Sequence, residues 1–117
     1  VMLANVFFEH DILELSTKNR DGFHIFLSEI IATFGLIFII FANLKDGKIT
    51  IAASVATYIM AGYWFTSSTS FANPAVAIAR TFTDSFTGIN YINTPTYILA
   101  EFLGALIAVF LIKKLIK

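Results

Sequence analysis

Three apolar runs separated by short polar turns set the layout of this chain. They extend from about Phe23 to Asn43, from Ile49 to Phe65 and from Tyr97 to Ile116. About 20 apolar residues cross the hydrocarbon of a bilayer as a helix. The pattern therefore predicts an all-α membrane protein with three transmembrane helices. The second run is short and passes straight into Thr66-Ser67-Ser68-Thr69-Ser70, a polar series that a lipid-facing helix would not carry. Asn73-Pro74-Ala75 follows. Asparagine is a strong helix N-cap, and proline suits the first helical position because its missing N–H would be unpaired there anyway. A helix from Asn73 to about Ser85 would be roughly 18 Å long, about half a bilayer. Irregular backbone at membrane depth is tolerated only where protein buries it or a water-filled cavity adjoins it. Residues 66–85 thus read as a re-entrant loop and half-helix, and a helix that begins inside the membrane points to a pore.

The region before Phe23 has a different character. Val1 to Phe8 is apolar but far too short to span, and Glu9 to Gly22 is polar. Residues 1–22 read as the end of a preceding span, begun before Val1, followed by an outer loop. Lys45, Lys48, Lys113, Lys114 and Lys117 fall on one side of a three-span layout, and Lys18, Arg20 and Arg80 on the other. The bias of Lys and Arg toward cytoplasmic loops then places the C-terminus in the cytoplasm. The half-helix would run from mid-membrane back outward.

Composition agrees with a membrane class. The chain is 57% hydrophobic and 14% charged, against about 25% charged in soluble domains. Its net charge of zero argues against nucleic acid as a partner. There is no cysteine, and His10 and His24 stand apart from any metal-ligand spacing. No cofactor, metal centre or catalytic set is expected, and the chain does not read as an enzyme.

Ser28-Glu29-Ile30-Ile31-Ala32-Thr33-Phe34, Asn73-Pro74-Ala75-Val76 and Tyr97-Ile98-Leu99-Ala100-Glu101-Phe102-Leu103-Gly104-Ala105-Leu106 together resemble the C-terminal half of an aquaporin (major intrinsic protein). The likeness covers roughly residues 23–112. The pattern is most similar to bacterial aquaporin-like channels associated with arsenic resistance. The resemblance implies two such halves, inverted with respect to each other, whose half-helices meet at mid-membrane. Each offers an asparagine amide to the pore, and half-helix dipoles exclude protons and cations. It further implies a lipid-embedded homotetramer of complete protomers. The missing N-terminal half, or a second copy of this chain, would be needed to complete the pore.

On this reading the pore-lining residues are Asn73, Pro74, Ala75, Val76, Ala61, Ser70 and Arg80, with Glu29 as a scaffold for the loop. Val76 stands where most aquaporins carry a filter arginine, and Ala61 where many carry a filter histidine. A wider and less polar filter implies small uncharged solutes, of the water, glycerol or arsenous acid type.

Each residue also has a plainer reading. Arg80 could pair with Asp84 at i+4. Glu29 could snorkel to the outer interface, as could Glu101. Tyr63 and Trp64 suit an aromatic belt. Ala100 and Gly104 form a small-xxx-small pair, serving contacts within or between protomers. The alternatives to a channel are a non-conducting membrane fragment or accessory subunit, and a piece of a secondary transporter.

Overall fold

The computed structural model describes residues 1–115. Ile116, assigned above to the third span, and Lys117, counted among the cytoplasmic lysines, lie outside the described residues. Five α-helices follow in order: α1 (Met2–Phe7), α2 (Phe23–Ala42), α3 (Lys48–Phe65), α4 (Pro74–Ala79) and α5 (Thr94–Leu115). Short 3-10 turns occupy Leu44–Asp46 and Arg80–Phe82. α2 and α5 are long and apolar enough to cross a membrane. α3 has 18 residues but is less apolar, because Lys48 and several hydroxyl side chains interrupt it.

α2 and α5 form the frame. Ala100, Gly104, Ala108 and Ile112 are buried along α5 at four-residue spacing, and Ala32 and Thr33 are buried on α2. This is one helical stripe meeting another. A Cβ at Gly104 would collide with the carbonyl oxygen of Ile30 and stand 3.1 Å from the Phe34 nitrogen. The small-xxx-small pair therefore packs within this chain. The two helices run in the same direction, since Glu29 and Glu101 lie together and Gly104 meets Ile30 and Phe34. α3 returns antiparallel and is tied to α2 by the Tyr58 hydroxyl, which donates to the Ala32 carbonyl at 2.8 Å.

The segment after α3 turns back into the bundle. Ala72 and Asn73 bond to Glu29 and Glu101, which lie about 9–11 Å along α2 and α5 from their first residues, at 1.5 Å per residue. From there α4 runs back toward the starts of α2 and α5. The α-helix ends at Ala79 rather than Ser85, because Thr83 adopts extended backbone (φ −137°, ψ 122°) after a single 3-10 turn. Residues 9–22 lie across this end: Ser16 donates to the Thr81 carbonyl at 2.9 Å, and Asn90 donates to that of Lys18 at 2.9 Å.

Candidate functional site

Eight residues, 66–73, link α3 to α4, and their backbone is strained. Thr69 (φ 62°), Ser70 (φ 51°) and Ala72 (φ 50°) all take left-handed conformations. For residues bearing a Cβ such conformations cost of order 1–3 kcal/mol each and persist only where the surroundings over-determine them. Here the surroundings do so. Ser68 is fully buried, and Ser70, Phe71 and Ala72 are nearly so. The Thr66 hydroxyl donates to the Gly62 carbonyl at 2.6 Å and meets the Ser70 hydroxyl at 2.9 Å. Tyr97 donates to the Ser68 carbonyl at 3.0 Å. The Ser/Thr run is thus braced by protein rather than solvated.

Two carboxyl groups take the deepest part of the loop. Glu29 Oε1 accepts from the Ala72 N–H at 2.5 Å, and Glu101 Oε2 accepts from the Asn73 N–H at 2.8 Å. Both residues are almost completely buried, so neither snorkels to an interface. Their other oxygens, Glu29 Oε2 and Glu101 Oε1, are buried without a partner among the described residues. The two side chains lie within hydrogen-bonding reach of each other.

Arg20 is a residue that sequence reasoning missed. Counted there as an outer cation, it is only 4% exposed. Its guanidinium donates to the carbonyls of Gly88 (2.7 Å), Phe86 (2.8 Å) and Ser68 (3.5 Å). It also stands 5.0 Å from the centre of the Phe71 ring. Arg20→Met leaves three carbonyls short of a charged donor and is expected to destabilise the protein by about 2–4 kcal/mol. Lys18→Met, an exposed cation on the same loop, should stay within about 0.5 kcal/mol. Thermal unfolding in detergent compares them.

Asn73 caps α4. Its Oδ1 accepts from the Ala75 N–H at 2.8 Å, which fixes the orientation of the amide. The side-chain NH2 is left without a partner among the described residues, on an exposed residue at the deep end of α4. Pro74 follows at the first helical position. Ala77 on the opposite face is fully buried in the cluster of Phe71, Ile89 and Tyr97, while Ala75 is exposed and Val76 half-buried.

Val76 and Arg80 line one cavity of about 600 Å³ with Asn5, Ala79, Thr83 and Phe86. The i+4 ion pair considered for Arg80 is absent among the described residues, because the helix ends before Asp84. Asp84 instead accepts from the Thr17 N–H at 2.9 Å and from its hydroxyl at 2.7 Å. Those two bonds hold its carboxyl below the usual range. Ala61 sits elsewhere, in a groove of about 370 Å³ beside Ile39 and Tyr58. Ser70, expected beside the pore, turns its hydroxyl to Thr66 and is buried.

The chain is 44% identical over 115 residues, 98% of its length, to the aquaglyceroporin AqpS of Rhizobium meliloti (strain 1021). It is aquaporin-like. This aquaporin-like chain spans about half the length of that relative, 49%. No family model matches it, and no solved structure matches it.

Proposed function

We propose that this chain supplies one half of the wall of a passive channel for small uncharged solutes. In this reading α2, α3 and α5 are the three spans, and residues 66–85 form the re-entrant loop and half-helix. Asn73, Pro74, Ala75, Val76 and Arg80 line the path, and Glu29 scaffolds the loop. The observation that carries the reading is the Asn73 amide: its carbonyl is consumed by the cap, and its NH2 is presented at depth by a strained loop braced by Glu29, Glu101 and Tyr97. A packing subunit has no need of such a donor. It suits solute oxygen atoms, as in water, glycerol or arsenous acid, and the similarity to an aquaglyceroporin supports that class. A complementary half, a tetrameric assembly in the lipid bilayer and a cytoplasmic C-terminus complete the proposal.

Asn73→Asp tests it. The substitution keeps the cap but replaces the free donor by an acceptor. Glycerol and water flux through the whole polypeptide the gene encodes, in proteoliposomes, should fall about two- to tenfold, the worth of one net hydrogen bond. Unchanged flux at normal protein density leaves the loop a structural feature and favours a non-conducting subunit.

A further inference from the structure

We infer that Arg80 is the charge-selecting residue of this pore, acting one helical turn outward of Val76. The inference rests on the channel reading above. Val76 brings no charge to the wall at the first turn of α4. Arg80 lines the same cavity and is half-buried. Its guanidinium has neither a carboxylate within ion-pair distance nor a hydrogen-bond acceptor among the described residues. His10–Glu14 is the one ion pair found there.

A half-buried cation with no acceptor is costly unless something else meets it. What meets Arg80 on the protein side is the Phe71 ring, whose centre is 4.5 Å from the guanidinium carbon. Phe71 is itself fixed: it is 4% exposed, packs on Tyr97 at 5.0 Å between ring centres, and has Arg20 against it. An aromatic face holds a guanidinium in place without neutralising it. The donors of Arg80 therefore remain available to the cavity. Asp84, the acid nearest in sequence, is engaged by Thr17.

Such an arrangement does two things to a solute. It offers donors to the oxygens of a neutral polyol or hydroxide-type acid, and it repels inorganic cations. At the effective dielectric of a protein surface, a unit charge about 8 Å from an ion's path changes that ion's population about five- to thirtyfold. Because the charge sits outward of Val76, the narrow position itself stays apolar. Selection against cations and passage of bulkier neutral solutes are thereby assigned to different residues.

The experiment uses the whole encoded polypeptide in proteoliposomes, reading glycerol flux and potassium leak together. Arg80→Cys should raise the ratio of potassium leak to glycerol flux about five- to thirtyfold. This chain contributes no cysteine of its own, and the parent protein given the same reagents is the control for any thiol outside it. A cationic methanethiosulfonate should restore the low leak, while an anionic one should raise it further. Arg80→Lys should stay close to the parent and serves as the test if Arg80→Cys accumulates poorly: a leak in Arg80→Lys equal to that of Arg80→Gln overturns the inference. So does a leak in Arg80→Cys that is unchanged or indifferent to the sign of the reagent, the result expected if an acid outside this chain pairs with Arg80. Absence of glycerol flux in the parent protein rejects the channel reading and the inference with it.

Discussion

Replacing Glu29 and Glu101 together by leucine should abolish solute flux and lower the stability of the protein by about 2–6 kcal/mol. The substitutions preserve apolar bulk but leave the N–H groups of Ala72 and Asn73 buried without acceptors, each costing about 1–3 kcal/mol. The loss falls on the segment least able to bear it, where Ala72 has φ 50° and Ser70 has φ 51°. Released, those residues would relax toward ordinary backbone and carry the Asn73 amide away from its position. Single glutamines should behave differently. In Glu101→Gln the side-chain carbonyl can still accept from Asn73, and the NH2 can donate to the unpartnered Oε2 of Glu29. Flux and melting temperature should therefore stay near the parent's, and Glu29→Gln should match it by the mirror argument. The double glutamine variant sets two NH2 groups against each other and should be weaker than either single one. A collapse of Glu101→Gln alone would mean that the new NH2 cannot reach the free oxygen of Glu29.

How much of this was legible beforehand differs from residue to residue. The start of α4 was legible because capping is local: Asn73 and Pro74 each favour one backbone position, and their adjacency leaves a single reading. The depth of Glu29 was legible from its place within an apolar run. The fate of the Ser/Thr run was not. A hydroxyl contributes the same polarity to a sequence whether water or a buried group meets it, and here the Thr66 hydroxyl meets the Gly62 carbonyl and the Ser70 hydroxyl. The burial of Arg20 was hidden for a related reason. Its acceptors are 48 to 68 residues away, so no local spacing separates it from an exposed cation such as Lys18. The Arg80–Asp84 pairing assumed a helix continuing to Ser85. Thr83 breaks that helix by bonding to Asn5 at 2.7 Å, a contact across 78 positions. Local rules succeeded where neighbours decide the outcome, and they failed where the fold brings distant polar groups together.

Gly104→Leu should prevent folded protein from accumulating at all, and Gly104→Ala should cost about 1–3 kcal/mol, the usual range for overpacking a tight core. The reason lies in what the new Cβ meets. Its nearest neighbour would be the Ile30 carbonyl oxygen, with the Phe34 nitrogen and Thr33 Cβ both at 3.1 Å. Two of those three atoms belong to backbone, which cannot rotate aside as a long side chain can. The helices must separate instead, and their separation would pull Glu29 from Glu101, because α2 carries one and α5 the other. Stability and flux should thus fall together in Gly104→Ala. Thr33→Ala in the same background should rescue neither, since it leaves both the Cβ and the Ile30 carbonyl in place. A control on the other side of the helix separates this from general sensitivity of α5: Leu106 is 65% exposed, and Leu106→Ile should stay within about 0.5 kcal/mol. Unfolding in mixed detergent micelles measures the three variants that accumulate on one scale, and the yield of folded protein tests Gly104→Leu. Full rescue of Gly104→Ala by Thr33→Ala would show that side chains, rather than the approach of two backbones, set the distance between these helices.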